Sequence, residues 1–250
     1  MRWSSTRLLP VVCTIAVATG LCLIGCDRIP GRPASGPQVA RPEEILDFAV
    51  LYKSNCSACH GQDGRNAATI GLANPVYLSV IGEATLHEIT AKGVPGKLMP
   101  AFARSAGGTL TDQQVSVLAH GIIQNWSKPT TAPGQSLPPY RASLPGDTAH
   151  GEQAFGVFCA SCHGVNGEGK SATINGKTVK VGSIVDESYL ALISDQGIRS
   201  FILAGAPDEA MPDWRSDGPL PMTDQQITDV VAWMASKRTA NPGQPYAVHP

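Results

Sequence analysis

The stretch N-C-S-A-C-H-G at residues 55–61 returns 103 positions later, as F-C-A-S-C-H-G at residues 158–164. Each copy has two cysteines three positions apart and a histidine directly after the second. Residues i and i+3 of a helical turn project to the same side, so one cysteine pair can bond two neighbouring vinyl groups of a porphyrin. The spacing is the attachment signature of haem c, in which the histidine lies beneath the iron.

Three other uses of a cysteine pair fit this sequence less well. A thioredoxin-like redox pair needs a strand–helix setting, which neither copy has. A structural zinc site would need both pairs to converge, although a long linker separates them. A disulfide between residues three apart is strained. The duplicated motif therefore favours two covalently attached haem c groups.

The start of the chain predicts export. Residues 1–25 have the layout of a signal peptide, since Arg2 and Arg7 precede the uncharged apolar stretch 8–24. That stretch is short and is interrupted by proline and glycine, so a permanent transmembrane helix is the less favoured alternative. The formal charge of the 250 residues is −1, which predicts neither a nucleic-acid partner nor a strongly acidic one.

The end of the signal peptide predicts a lipid anchor. Leu-Ile-Gly-Cys at residues 23–26 resembles the lipobox of bacterial lipoproteins, and by that resemblance Cys26 becomes the lipidated first residue of the mature chain. A tether rich in proline and glycine follows over residues 26–42. Several acyl chains on one cysteine hold a protein firmly at a membrane. Asp27 resembles an inner-membrane retention signal, so we expect the periplasmic face of the cytoplasmic membrane.

Every cysteine has an expected role. Of the seven, those at positions 13 and 22 leave with the signal peptide and Cys26 takes the lipid. An exported protein normally oxidises its spare thiols to disulfides, and none is spare here. The remaining four all belong to the two motifs and are the predicted sites of covalent haem attachment: Cys56, Cys59, Cys159 and Cys162.

The chain is an internal duplication. G-V-P-G-K-L-M-P at residues 93–100 corresponds to G-A-P-D-E-A-M-P at 205–212, with an offset of 112 residues. The cysteine motifs are offset by only 103, so the second copy has nine more residues between its histidine and its methionine. The predicted organisation is a first domain over 43–127, a proline-rich linker over 128–147, a second domain over 148–240 and a tail over 241–250.

Both domains read as all-α. A helical pattern of apolar residues starts near Glu43 and ends just before Cys56. Thr111 and Thr223 resemble the N-caps of closing helices, each preceded by an apolar staple residue, Leu110 in the first domain and Met222 in the second. Neither domain shows strand alternation with hairpin punctuation. Units this small bury little surface unaided, and a large apolar cofactor would supply the missing core.

The fifth and sixth iron ligands are predicted from the repeat. His60 and His163 follow the cysteine pairs, while Met99 and Met211 stand before proline at matching places of the two copies. A thioether opposite histidine fills the iron site and raises the haem potential. Met222 has Leu110 as its counterpart and is expected to be a staple. Met234 is predicted to be a core residue, and His87 is an alternative iron ligand that the sequence does not favour.

The motifs resemble those of class I cytochromes c, and the tandem resembles dihaem cytochromes of the c4 kind. In that family the opening and closing helices cross at a glycine, a place that Gly151 and Trp233 fill in the second domain. The first domain departs, since Phe48 holds the glycine place and Gly121 stands where the second domain has tryptophan. We expect a volume-conserving swap at the crossing, with Phe48 packed on Gly121.

The resemblance implies a membrane-anchored, periplasmic electron carrier rather than an enzyme. Its expected partners are a quinol-oxidising complex on one side and a terminal oxidase, dehydrogenase or reaction centre on the other. Two alternatives stay open: a dihaem enzyme of the peroxidase or thiosulfate-oxidising type, and a cytochrome subunit of a larger oxidase or dehydrogenase complex.

Overall fold

Helices account for most of the regular structure in a computed structural model of the protein, which confirms the predicted fold class. The structure describes residues 36, 39–129, 136–174, 176–215 and 221–239. The predicted signal peptide, the lipidation site Cys26 and the predicted tail over 241–250 lie outside the described residues. From Pro42 onward the described residues belong to one compact unit.

The first predicted domain contains four helical elements among its described residues, the third of which is kinked at Gly82. They are α1 (Phe48–Asn55), α2 (Ser57–His60), α3 (Pro75–Lys92) and α4 (Asp112–Trp126). The helix predicted from Glu43 starts later, which corrects that prediction: Pro42–Glu44 form a 3-10 turn, and α1 begins after Asp47. Asp47 is extended and its carboxylate accepts the backbone N–H of Val50, so it caps the helix at this point.

The second predicted domain repeats this order and adds a hairpin. Its described elements are α5 (Thr148–Phe158), α6 (Ala160–His163), β1 (Lys170–Ile174), β2 (Lys177–Val181), α7 (Glu187–Leu192), α8 (Asp195–Ala204) and α9 (Asp224–Ser236). The predicted N-caps are confirmed, because Thr111 forms a capping box with Gln114 and Thr223 forms one with Gln226. The staple residues before them are both buried.

The hairpin contradicts the expectation that neither domain contains strands. β1 and β2 pair antiparallel, with Ile174 opposite Lys177. The sequence carried a signal for it, since Asn175-Gly176 between two runs of β-branched residues is typical of a tight hairpin. Asn74, the N-cap of α3, and Asp186, the N-cap of α7, lie 112 residues apart, which is the offset between the two methionine loops. The nine additional residues therefore lie before Asp186, in the segment that contains the hairpin.

The opening and closing helices cross as predicted in both domains. A Cβ built on Gly121 would lie 2.2 Å from Cδ2 of Phe48, so the phenyl ring packs directly on this glycine. A Cβ on Gly151 would lie 2.0 Å from the carbonyl oxygen of Asp229 and 2.8 Å from Cβ of Trp233. The large and small residues stand on opposite helices in the two domains, which confirms the swap.

Two hydrophobic cores meet at the boundary between the domains. Most of the first core comes from α1, α3 and α4, and it also includes Ala204 of α8. The second core comes mainly from α5, α8 and α9, and it includes Val76 of α3. Each core thus contains a residue of the other domain. The packing of α3 against α8 joins the two predicted domains. The sequence alone did not predict whether the domains dock on each other.

The described part of the predicted linker is bound to the second domain. Arg199, which is 2% exposed, donates to the carbonyl oxygens of Pro139 at 2.8 Å and Tyr140 at 3.0 Å. It also donates to Thr228 and forms an ion pair with Asp224. A buried guanidinium needs partners for its N–H groups, and the linker carbonyls supply two of them. The ring of Tyr140 lies edge-on to Tyr77 of the first domain.

Replacing Gly121 by alanine tests the helix crossing. We expect Gly121→Ala to lower the free energy of unfolding by about 1–3 kcal/mol, because the new methyl group overlaps the Phe48 ring. The control is Gly156→Ala on the exposed side of α5, where no atom lies within 4 Å and alanine favours the helix. Denaturant unfolding of the holoprotein measures both changes. Equal effects of the two variants would contradict the predicted contact.

Candidate functional site

The two cysteine motifs form one-turn helices directly after the opening helices. The N–H of Cys56 donates to the carbonyl of Tyr52 at 2.8 Å, and the N–H of His60 donates to that of Cys56 at 3.0 Å. Cys159 and His163 make the same bonds, with the same two lengths. The end of each opening helix therefore sets the position of the turn, and the turn carries both cysteines of a pair on one side.

None of the four cysteines of the motifs forms a disulfide. Burial raises the pKa of the Cys56 thiol to about 12, and burial likewise raises the pKa of Cys159 to about 12. A redox-active cysteine pair works through a thiolate whose pKa is lowered. The shifts at Cys56 and Cys159 have the opposite sign, which disfavours a redox-active thiolate at these two positions.

His60 is oriented by the loop that follows the motif. Its Nδ1 lies 2.9 Å from the carbonyl oxygen of Ile70 and 3.1 Å from Oγ1 of Thr69. Since a carbonyl only accepts, Nδ1 carries the proton and Nε2 keeps its lone pair. Burial lowers the pKa of His60, which also favours the neutral ring. Iron-binding histidines are commonly held this way, by a hydrogen bond from the second ring nitrogen.

His163 lacks this support. Its Nδ1 is buried, and no described residue accepts a hydrogen bond from it. Burial again lowers the pKa of the imidazole. In this domain the hairpin that begins at Lys170 occupies the part of the chain where the first domain has Thr69 and Ile70. A histidine that donates to a carbonyl is the more basic iron ligand, so the two predicted proximal histidines are inequivalent.

The methionine loops begin with equivalent glycines. Gly93 ends α3 with φ 68°, and Gly205 ends α8 with φ 64°. A Cβ on Gly93 would lie 2.5 Å from the carbonyl carbon of Pro100. A Cβ on Gly205 would lie 2.6 Å from the carbonyl oxygen of Met211. Only glycine allows this backbone and this approach, so each Met-Pro segment folds back onto the end of the preceding helix.

Met99 and Met211 hold the same position in their loops. The carbonyl of Met99 accepts the N–H of Val94 at 3.0 Å, and that of Met211 accepts the N–H of Ala206 at 3.0 Å. Both methionine side chains are half-buried. The structure thus gives the predicted sixth ligands one backbone hydrogen bond in common, while their bond to iron stays a prediction.

The side chains set aside as ligands have other surroundings. Met222 is 4% exposed and Met234 is 3% exposed, and both belong to the second core. Nε2 of His87 lies 3.2 Å from Oγ of Ser116 on the closing helix α4. These contacts fit the predicted roles of Met222 as a staple and Met234 as a core residue, and they give His87 a side-chain partner on the closing helix.

Some supporting residues were missed in the sequence. Thr69 and Ile70 orient His60 through a hydroxyl and a main-chain carbonyl, and main-chain carbonyls leave no mark in a sequence. The Tyr52 hydroxyl donates to the carbonyl of Gly61 at 2.9 Å, which joins the opening helix to the loop after the motif.

The described residues contain no group of three or more His, Cys, Asp or Glu side chains that could hold a metal ion. The two cysteine pairs accordingly do not converge on one structural zinc site. The residues that are present fit a haem c group in each domain: a cysteine pair without a disulfide, a histidine directly after it and a methionine loop in the expected order.

Of the helices that the structure describes, none has the length and apolar character needed to span a membrane.

Two protein families match the two halves of the chain. The family described as "Cytochrome C oxidase, cbb3-type, subunit III" matches residues 43–120, and the family described as "Cytochrome c" matches residues 148–237. The two matched segments coincide closely with the two copies of the repeat.

A curated relative and a solved structure are also similar. "Cbb3-type cytochrome c oxidase subunit FixPc" of Rhizobium leguminosarum bv. viciae is 32% identical over 75 residues, 29% of this chain. The match spans a quarter, 25%, of that protein's length. The structure titled "Kuenenia stuttgartiensis reducing HAO-like protein complex Kustc0457/Kustc0458" matches over 80% of this chain and 100% of its own, at 15% identity and a TM-score of 0.38.

Alanine substitutions at two glycines of nearly the same backbone conformation test the packing of the Met211 loop. Gly82 has φ 67° and ψ 160° with no atom within 4 Å of a built Cβ, whereas Gly205 faces the carbonyl of Met211. Alanine strains the backbone at both positions by about 1–3 kcal/mol. We expect Gly205→Ala to cost about 1–3 kcal/mol more, since it also displaces the Met-Pro segment. Unfolding by denaturant measures the difference, and equal losses would show that the close approach contributes nothing.

Proposed function

Since this chain consists of two cytochrome c domains in tandem, we propose that it is a dihaem electron carrier. Each domain would hold one haem c through its cysteine pair and ligate the iron from both sides. The first iron would take His60 and Met99, and the second would take His163 and Met211. Iron held by histidine and methionine takes up and releases single electrons.

One observation carries this proposal: both domains combine a histidine on a one-turn helix with a methionine loop that begins with the same glycine reversal. Gly93 and Gly205 make the same reversal, and Met99 and Met211 accept equivalent backbone hydrogen bonds. An enzyme of the peroxidase type leaves the sixth position of one haem open or labile. The equivalence of the two loops favours a filled position in both domains.

The docking of the domains supports transfer of electrons within the chain. The amide of Asn74 in the first domain donates to the carbonyl of Ala204 in the second at 2.8 Å, in a buried position. Lys97 donates across the same boundary to the carbonyl of Ala191 at 2.6 Å. With the linker bound through Arg199, these contacts favour a fixed arrangement of the two domains over two independent carriers.

The proposed location is the periplasmic side of the cytoplasmic membrane. The basic start, the apolar stretch and the lipobox-like residues 23–26 support export and lipidation of Cys26. A lipid anchor would keep the carrier near integral membrane complexes while the tether over 26–42 lets it move between them. The proposed partners are a quinol-oxidising complex as electron donor and a terminal oxidase, dehydrogenase or reaction centre as acceptor.

A second candidate function is a fixed subunit of an oxidase. It is favoured by the match of residues 43–120 to a family described as a cbb3-type oxidase subunit and by the similarity to an oxidase subunit of Rhizobium leguminosarum bv. viciae. Both candidates use the same haem chemistry and differ in whether the partner is permanent. Purification from gently solubilised membranes separates them, because a subunit stays with its complex through gel filtration and a mobile carrier does not.

Methionine variants test the carrier function. We expect Met211→Ala to keep the second haem attached, lower its midpoint potential by at least about 60 mV, a tenfold change in a one-electron equilibrium, and let ferrous iron bind carbon monoxide. Met99→Ala should do the same to the first haem. Redox titration with spectra measures both changes.

Met222→Leu is the matched control, because it changes a buried methionine of the same domain to the residue found in the first copy. It should leave both potentials unchanged. The carrier proposal fails if the wild-type protein contains one haem per chain, or if its ferrous form already binds carbon monoxide quickly.

The lipid anchor is tested separately. Cys26→Ser should move the whole protein from the membrane fraction to the soluble fraction, because no acyl chain is then attached. Fractionation followed by redox titration checks this, and both haem potentials should stay as in the wild type. Membrane association of the variant after a high-salt wash would contradict lipidation as the anchor.

A further inference from the structure

We infer that Asn74, a residue of the first domain, positions the loop that carries Met211 in the second domain. Iron ligation in the second domain would then depend on the docking of the first. The inference rests on the proposed function, since it takes Met211 as the sixth iron ligand. Asn74 is a positioning residue in this scheme and has no contact with the iron.

The side chain of Asn74 makes hydrogen bonds in both domains at once. Its Oδ1 accepts the N–H groups of Val76 at 2.9 Å and Tyr77 at 3.1 Å, which caps α3. Its Nδ2 donates to the carbonyl oxygens of Ala204 at 2.8 Å and Gly205 at 3.4 Å. The residue is only 7% exposed, so water does not readily replace these bonds.

The two carbonyls lie at the start of the methionine loop. Ala204 is the last residue of α8, and Gly205 makes the reversal on which Met211 and Pro212 pack. The next residue, Ala206, exchanges two hydrogen bonds of 3.0 Å with the backbone of Met211. A shift at Gly205 therefore reaches the backbone of Met211 directly through packing and through this pair of bonds.

A second residue of the loop is held from the same side. The backbone N–H of Asn66, in the loop after the first cysteine motif, donates to Oδ2 of Asp208 at 3.0 Å. Arg65 lies 4.0 Å from the same carboxylate, but this pair is largely exposed and adds little. The first domain thus contacts the Met211 loop at its beginning, through Asn74, and near its middle, through Asn66.

The repeat-equivalent cap lacks this function. Asp186 stands 112 residues after Asn74 and caps α7 by accepting from Ser188 at 2.9 Å and Tyr189 at 3.0 Å. It is exposed, and a carboxylate has no N–H to donate. Capping needs only the acceptor, which both residues have. The donor half of the Asn74 amide is thus the feature that the second copy does not share, and it is used across the domain boundary.

This difference supplies a matched pair of substitutions in the full-length holoprotein. Asn74→Asp keeps the capping oxygen and removes the donor toward Ala204, while Asp186→Asn makes the reverse change at the exposed cap. In the reduced protein each iron-bound methionine gives a methyl resonance shifted by the haem ring current, and Met211→Ala identifies the one from the second domain. Imidazole, which competes with methionine for ferric iron, reports how readily each loop opens.

For Asn74→Asp we expect the Met211 methyl resonance to move or broaden and the second haem to bind imidazole about tenfold more tightly, the effect of losing one buried hydrogen bond. The Met99 resonance should stay in place. Asp186→Asn should change neither. Asp208→Ala, at a more exposed position, should strengthen imidazole binding in the same domain by about two- to threefold, and it decides the question if Asn74→Asp does not fold.

The inference is overturned if imidazole affinity and the Met211 resonance are the same as in the wild type in every folded variant among Asn74→Asp and Asp208→Ala. A loss of stability without a change at the second haem also overturns it, because Asn74 would then be a cap and nothing more. If Met211→Ala removes no shifted methyl resonance, the proposed ligand itself is wrong, and that failure is recognised independently of Asn74.

Discussion

The close crossing of an opening and a closing helix is the constraint on which each domain depends. The ring of Phe48 packs on Gly121 in the first domain, and Gly151 packs on the backbone of Asp229 and on Trp233 in the second. Because the N–H of the first cysteine bonds to the last turn of the opening helix, this crossing also sets the place of the cysteine–histidine turn. One helix in each domain thus joins the crossing to the cysteine–histidine turn.

The predicted iron ligands of the two domains are held by different contacts. His60 donates to a loop carbonyl, whereas the corresponding loop of the second domain is replaced by a hairpin and the Nδ1 of His163 has no described partner. The methionine loops share their glycine reversals but differ in their contacts with the other domain. The second loop accepts from the amide of Asn74, and the first donates through Lys97 to the carbonyl of Ala191. A duplicated sequence has thus become two inequivalent sites.

Residue patterns predicted much of this arrangement and failed in identifiable places. The capping boxes at Thr111 and Thr223 were recognisable because a cap acts within three or four residues of the chain. The start of α1 was misplaced because the apolar residues at helical spacing begin before the helix does. The Asp47 cap fixes the first helical residue at Phe48. The hairpin was overlooked although Asn175-Gly176 marked it, because its strands are short and mostly exposed.

By itself the sequence determined the kind of cofactor, the duplication, the helical class and the candidate ligands, because covalent attachment and iron ligation require particular side chains at fixed local spacing. The tertiary structure decided the docking of the domains, the burial of Arg199 against the linker and the bonds of Asn74 to the second domain. Those interactions join main-chain carbonyls to residues far away in the chain, and a carbonyl is present at every position. No spacing rule can therefore reveal which one is used.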